Sequence, residues 1–365
     1  MADMSCRKRP RWDNKYEFWV SIISATVGFG NVWRFPFIAF QNGGGAFLIP
    51  YVIILVLIGS PLYFLETSVG QFSNRNCVNV WEMSPAMKGT GYAQTLGAAY
   101  NLTYNVSLIA LCLYYIAMSF SNPLPWSVCD PEWTDCIPSG TSVNMSEVEG
   151  DLVSSADVFL YFFNHFFFLT GTPLWDLSLC LLAGWIIIFV VVSRGIKSSG
   201  KAAWFFALFP YVGLTVLLIR AVTLPGAEDG ILFLITPQWH RMLEFGVWYQ
   251  AATQIFFSLS VILIIYVFTV VTSLVAAIIV FAVLGNLAHE LNYDDITKVI
   301  KGGGTSLAFI SYPDAIAKSP FAPQVSIESA KELFDPLFVL IFLKWGSKVE
   351  YHSTTSGVYY ILTLV

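Results

Sequence analysis

Charged side chains are scarce in this 365-residue chain, because Lys, Arg, Asp and Glu together make up only 12% of it. Soluble globular domains average roughly 25%. Hydrophobic residues reach 56%, so too few polar side chains remain to cover a water-facing surface. Several apolar runs approach the roughly 20 residues that cross a bilayer. The composition excludes a soluble enzyme, a disordered protein and a nucleic-acid binder, and it predicts an all-α polytopic membrane protein.

Positive charge is absent from residues 122–157, although this segment holds seven acidic side chains. The tail before the first apolar run is basic, and so is the short segment 194–201. The positive-inside rule therefore places the N-terminus and 194–201 in the cytoplasm and 122–157 in an extracellular loop. We expect a multi-pass protein of the plasma membrane.

Cysteine is also sparse, with six residues in the chain. Cys129 and Cys136 share the acidic outside loop, where an oxidising compartment allows a disulfide to persist. Asn144 begins a glycosylation sequon in the same loop. The loop is predicted to carry one disulfide and one glycan.

Patterns of catalytic and metal-ligating residues are missing. The four histidines are scattered, and none is paired with a cysteine or an acid at the spacing of a metal site. No nucleophile motif or phosphate-binding loop is visible in the sequence. We therefore expect neither an enzyme nor a bound cofactor.

Long apolar runs divide the chain into three parts. These are a cytoplasmic tail (1–15), a transmembrane region (16–323) and a divergent C-terminal segment (324–365). The predicted spans lie near 17–40, 46–69, 98–120, 175–193, 203–222 and 245–288.

The last of these runs is too long for a single ordinary span. No Asp, Glu, Lys or Arg occurs from Phe245 to Ala288, a stretch of 44 residues. As one helix it would measure about 66 Å, roughly twice the hydrocarbon core. Two spans fit by length, but no polar turn separates them, and one tilted span with a distorted end is the alternative.

The first span is interrupted at residues 24–31, whose sequence SATVGFGN places two glycines and an asparagine in mid-membrane. Each glycine weakens a helix by roughly 1 kcal/mol relative to alanine. Broken helices of this kind form the substrate and ion sites of secondary transporters. Glycines that allow close helix packing are the alternative explanation.

A nearly contiguous motif follows this interruption. Residues 31–37 (NVWRFPF) and 41–51 (QNGGGAFLIPY) closely resemble the sodium- and chloride-coupled neurotransmitter and amino acid transporters, the neurotransmitter:sodium symporters. Further matching blocks are 195–201 (GIKSSGK), 207–211 (ALFPY), 254–259 (QIFFSL) and 307–313 (LAFISYP). The phrase LGNLAHE at 284–290 is most similar to the insect nutrient amino acid branch. The resemblance covers roughly residues 9–323.

This resemblance implies a set of binding residues, all of them uncharged apart from the gates. Sodium is expected at Ser24, Thr26, Val27, Asn31 and Ser258. Chloride is expected at Tyr51, Gln254, Ser258 and Ser273. The substrate contacts correspond to Gly28, Tyr115 and Phe257, and the gates to Arg9, Trp12 and Arg34.

The residue types at Gly28, Tyr115 and Arg34 can also be interpreted individually. Monoamine transporters have an Asp where this chain has Gly28, which leaves room for the carboxylate of an amino acid substrate. From the residues alone, Tyr115 is equally well explained as a core aromatic. Arg34 near the end of a span either reaches the headgroups or serves a permeation pathway.

The chain departs from the family pattern in two places. After Ser258, about twenty residues of the usual pattern, roughly one span, are missing, and Thr269 stands where the family has an Asn or Asp sodium ligand. After residue 323 no apolar run reaches the length of a span. The expected architecture is the first half of the transporter fold, with about six or seven spans.

The expected function is sodium-coupled symport of amino acids across the plasma membrane, with Na⁺ and Cl⁻ as the candidate coupled ions. The alternative is a shortened, non-transporting variant without spans eight to twelve, which associates with full-length relatives. An incorrectly assembled gene would also explain the missing stretches.

Overall fold

The computed structural model describes most of the predicted spans and the contacts between them. The described residues are 16, 20, 30–73, 75, 78–121, 123–131, 133, 136–139, 153–160, 175–192, 210–258, 263–291, 293, 296 and 306–318.

The described chain is almost entirely helical. A π turn, Gly30–Arg34, precedes α1, and a second π turn, Leu55–Gly59, links α2 to α3. The helices are α1 (Phe35–Gln41), α2 (Gly45–Ile54), α3 (Ser60–Ser73), α4 (Lys88–Ser119), α5 (Trp175–Val192), α6 (Pro210–Val222), α7 (Ala227–Ile235), α8 (Trp239–Met242), α9 (Phe245–Ser258), α10 (Leu263–Glu290) and α11 (Ser306–Ala317). Two 3₁₀ turns, Asn79–Met83 and Pro85–Met87, lead into α4. One short parallel pair, β1 (Cys136–Ile137) and β2 (Val153–Ser154), lies in the outside loop.

Three of the described helices are long and apolar enough to cross a membrane. They cover Gly45–Leu62, Pro85–Ser119 and Thr269–Glu290. The pair α6 and α7 also passes this test when taken together, although the two helices are bent by 111°. The start of the first predicted span and most of the link between α5 and α6 lie outside the described residues.

Helix α10 forms the centre of the bundle. It packs against α7, α11, α1 and the first π turn. Its residues from Ile279 to Ala288 are all buried, as expected of a helix that is apolar all round and enclosed by protein. In contrast, α5 exposes Leu182 and Phe189, a surface suited to lipid.

The long apolar run is divided in the structure. Helix α9 ends at Ser258 and α10 begins at Leu263. The residues that join them, 259–262, lie outside the described chain. The structure describes the run as two helical stretches, α9 and α10, on either side of these residues.

The glycine-rich motif after α1 forms the turn into α2. Gly44 has a φ of +58°, and a Cβ at this position would lie 2.5 Å from the carbonyl oxygen of Phe233 on α7. Gly44 also forms an antiparallel bridge with Pro237. Glycine is thus required by both the turn and the close approach of α7.

Candidate functional site

The candidate site is built around the π turn at residues 30–34. Gly30, Asn31, Val32 and Trp33 are all buried. A π turn widens the helix and shifts backbone carbonyls out of the regular i→i+4 pattern, and such turns are frequent at functional sites. Asn31 therefore lies in an interrupted and enclosed part of the first span. The other predicted ligands of this stretch, Ser24, Thr26, Val27 and Gly28, lie outside the described residues.

Two distant helices hold the carbonyls of this turn. Gln254 on α9 donates from Nε2 to the carbonyl oxygen of Gly30 at 2.6 Å. Tyr312 on α11 donates its hydroxyl to the carbonyl oxygen of Val32 at 3.0 Å. Both side chains are fully enclosed. Because a buried carbonyl without a donor is costly, these two contacts stabilise the interrupted geometry.

The candidate chloride residues come from three helices. Tyr51 lies on α2, Gln254 on α9 and Ser273 on α10, and each side chain is about 1% exposed or less. The ring of Tyr51 packs edge-on against Phe35, with 4.9 Å between ring centroids. The Ser273 hydroxyl has no hydrogen-bond partner among the described residues. An enclosed hydroxyl of this kind is a suitable donor for an anion. The side chain of Ser258 lies outside the description.

Tyr115 lies in an aromatic cluster between α4, the outside loop and α11. Its ring centroid is 5.4 Å from that of Trp126, 5.6 Å from Phe159 and 6.2 Å from Phe309. The Tyr115 hydroxyl and the Trp126 indole nitrogen are buried with no partner among the described atoms. The cluster thus combines an apolar surface with two available donors. The side chain of Phe257 and the whole of Gly28 lie outside the description.

Arg34 ends the π turn and is partly buried. Its guanidinium lies near enough to Tyr104 on α4 for the two groups to interact electrostatically. Arg34 thus lies beside α4 in the structure. The other candidate gate residues, Arg9 and Trp12, precede the described region.

The sequence model of the "Sodium:neurotransmitter symporter family" matches residues 9–266 and 261–351. The chain belongs to this family. The match confirms the resemblance, and since this is a family of symporters, it also confirms that the chain is not an enzyme. The match continues to residue 351, so the expectation that the resemblance ends at residue 323 is wrong.

Relatives and a solved structure agree with this assignment. The chain is 44% identical to the "Sodium-dependent nutrient amino acid transporter 1" of Drosophila erecta, over 97% of its own length and 62% of the relative. The Drosophila melanogaster protein of the same name gives the same values. The chain thus spans about three fifths of the length of these relatives.

The crystal structure of MhsT in complex with L-phenylalanine matches with a TM-score of 0.72. The match has 21% identity and covers 98% of this chain and 79% of that one. It confirms the fold. The family match and the described apolar helices together show a multi-pass membrane protein.

In the loop that the sequence predicts to be extracellular, Cys129 and Cys136 form a disulfide with an S–S distance of 2.01 Å. The loop also hydrogen-bonds to itself, because Ser155 donates to the carbonyl oxygen of Trp126 at 2.8 Å. The predicted glycan acceptor, Asn144, lies outside the described residues.

One acidic residue beside the aromatic cluster provides a test by pH. Burial raises the pKa of Asp157 from 3.8 to about 6. Between these pH values the folded state keeps a proton that the unfolded state has lost, so stability falls as pH rises from about 4 to 6. The total loss is on the order of 3 kcal/mol. We expect Asp157→Asn to abolish this loss and to stabilise the protein at pH 7.

Thermal unfolding midpoints of detergent-solubilised protein, recorded between pH 4 and 7, measure this effect. Asp130→Asn, a matched change in an exposed residue of the same loop, should leave the pH profile of the wild type unchanged. A profile for Asp157→Asn that follows the wild type would contradict the prediction.

Sequence reasoning missed a buried ionic cluster at the end of α10 and α11. Nζ of Lys318 lies 2.6 Å from Oε2 of Glu290, 2.7 Å from Oδ2 of Asp314 and 2.7 Å from Oδ1 of Asn286. Ser139 of the outside loop donates to Oδ1 of Asp314 at 2.8 Å. The local signal was the i,i+4 spacing of Asp314 and Lys318 on an otherwise apolar helix. Their partner Glu290 could not be inferred from that spacing.

Proposed function

We propose that this chain is a sodium-coupled symporter of amino acids. One observation carries the proposal: the first span is interrupted at the buried Asn31, and Gln254 and Tyr312 from two other helices support the turn. A break of this kind at membrane depth requires protein partners and is typical of ion and substrate sites in transporters. The relatives are named as sodium-dependent nutrient amino acid transporters, which agrees with the proposal.

The proposed sodium ligands are oxygens without formal charge. Asn31 supplies a side-chain amide oxygen, Thr26 and Ser258 supply hydroxyls, and Ser24 and Val27 supply carbonyls. Hard cations such as Na⁺ prefer ligands of this type. Thr269 is buried on α10 where the family usually has an Asn or Asp, so a hydroxyl would take that place.

Chloride is proposed to bind among the neutral donors Tyr51, Gln254, Ser258 and Ser273. The buried Ser273 hydroxyl, which has no hydrogen-bond partner within the described part of the chain, supports this assignment. The substrate is proposed to contact Gly28, Tyr115 and Phe257, with its carboxylate near Gly28. Gly28 has no side chain to fill this space, and it stands where monoamine transporters have an Asp. Both features favour an amino acid over a monoamine.

The proposed location is the plasma membrane, with a cytoplasmic N-terminus. The basic tail and the acidic segment 122–157 support this orientation. Glycosylation at Asn144 is proposed on the same ground.

A second candidate function is a non-transporting variant that associates with full-length relatives. The family match is divided into two segments that meet at residues 261–266. The alignment with the Drosophila erecta relative spans 406 residues, which is longer than the whole chain. Both facts agree with an internal stretch that is missing after Ser258, where the family's sixth span continues.

Uptake of radiolabelled amino acids separates these functions. In cells without endogenous uptake, we expect uptake in sodium medium and little in choline medium. Asn31→Ala should raise the sodium concentration for half-maximal uptake about tenfold, because one polar ligand is lost. Asn79→Ala is the matched control, because Asn79 is exposed and lies outside the first span.

Two outcomes would decide against transport. If the chain reaches the surface but sodium has no effect on uptake, the symport proposal is wrong. If it then lowers the uptake of a co-expressed full-length relative, the second function is supported.

A further inference from the structure

The carbonyl group of Val32 occupies an unusual position in the first span. In an α-helix its hydrogen-bond donor would be the backbone N–H of residue 36. Residue 36 is Pro36, which has no N–H. The sequence therefore removes the regular donor for this carbonyl, immediately after the proposed sodium ligand Asn31.

The hydroxyl of Tyr312 takes the place of this donor. It lies 3.0 Å from the Val32 oxygen, and Tyr312 is 1% exposed. Bulk solvent therefore does not reach this contact. The contact joins residues that are 280 positions apart, so it fixes the π turn to α11.

Helix α11 is itself firmly anchored. Two residues after Tyr312, Asp314 begins the ionic cluster that also contains Lys318 and Glu290. Ser139 attaches the same end to the disulfide-bonded loop. An anchored helix can hold a hydroxyl in one place, which a free side chain in a loop could not do.

We propose that Tyr312 is a positioning residue for the sodium site, which acts by supplying the donor that Pro36 removes. It fixes the direction of the Val32 carbonyl and, through the adjoining peptide, the orientation of Asn31. This inference rests on the proposed sodium site at Asn31.

Direct binding of radioactive sodium to the purified 365-residue chain in lipid nanodiscs tests this role. Tyr312→Phe keeps the ring and removes only the hydroxyl. We expect sodium affinity to fall about threefold to tenfold, the equivalent of one hydrogen bond. Ser311→Ala is the matched control, because Ser311 is equally buried on α11 but its hydroxyl has no partner among the described residues. It should bind sodium as the wild type does.

A rescue variant distinguishes a donor from a packing role. Pro36→Ala returns the backbone N–H that would donate to the Val32 carbonyl in a regular α-helical turn. In the Tyr312→Phe background it should recover most of the lost affinity. Loss of ring packing could not be repaired in this way.

Hydrogen exchange of the segment 30–37 provides a second measurement that needs no sodium. Tyr312→Phe should exchange faster there than Ser311→Ala, while α5 exchanges equally in both. If the wild type binds no sodium, the proposed function fails, and exchange still decides whether Tyr312 holds the turn. Equal exchange in Tyr312→Phe and Ser311→Ala overturns the inference. If the wild type binds sodium, an equal sodium affinity of Tyr312→Phe and the wild type overturns it as well. If a variant folds in low yield, its folded fraction is first isolated by size-exclusion chromatography. The comparison is then made between folded proteins only.

Discussion

Replacing Gly230 with alanine is expected to separate α7 from α10 and to prevent correct folding. A methyl group at this position would overlap the carbonyl oxygen of Phe281. The opposing helix presents a glycine as well, because a Cβ at Gly285 would lie 2.5 Å from the Gly226 oxygen and 2.6 Å from the Gly230 nitrogen. Two backbones are therefore in direct contact, and no flexible side chain can move aside.

The expected cost follows from this geometry. Overpacking of a well-filled core costs about 1–3 kcal/mol when side chains can adjust. Here the whole of α7 would have to shift, so we expect more than about 3 kcal/mol, a large share of the 5–15 kcal/mol that stabilises a typical domain. Fluorescence-detected size-exclusion chromatography after heating measures the loss as a lower unfolding temperature or an absent monodisperse peak.

Gly246 offers a matched control at the start of α9. No atom lies within 4 Å of a Cβ at this position, so Gly246→Ala should be neutral or slightly stabilising. If Gly230→Ala and Gly246→Ala have the same unfolding temperature, α7 and α10 do not approach each other as closely as the structure shows.

The local features of the site could be predicted from the sequence. Glycine and asparagine in mid-span indicated an interrupted helix near residue 30, and the structure has a π turn that begins at Gly30. Tyr51, Gln254 and Ser273 were taken from the family motif, and the structure buries all three. These features depend on residues that are close together in the sequence or on a nearly contiguous match to the family motif.

Contacts between distant segments could not be predicted in the same way. The bond from Tyr312 to Val32 depends on where α11 lies against the first span, which hydropathy does not determine. The aromatic partners of Tyr115 come from three separate segments, and their sequences carry no signal that they meet. The limit expected at residue 323 was wrong for another reason, since apolar length is a criterion for spans and not for family membership.

Loss of the Lys318 ammonium is the second large effect that we expect. The Lys318 side chain is 4% exposed and that of Asp314 is 0% exposed, so little water reaches either. The ammonium donates hydrogen bonds to Glu290 and Asn286 and forms an ion pair with Asp314 at 2.7 Å. Lys318→Met keeps the length of the side chain but leaves two enclosed carboxylates without their cation. Removing one partner of a buried ion pair costs about 3–5 kcal/mol.

The unfolding temperature of purified protein measures this loss, and Lys88→Met at the exposed start of α4 is the matched control. A second set of variants tests the cause. If the loss comes from unpaired carboxylates, Glu290→Gln and Asp314→Asn should restore much of the stability of Lys318→Met, although each is destabilising alone. Such a reversal of sign is expected of coupled charges and not of independent packing defects.

Because the cluster anchors α11, Lys318→Met should also loosen the Tyr312 contact and accelerate hydrogen exchange at residues 30–37. Unchanged exchange there would show that α11 is held by its apolar face alone.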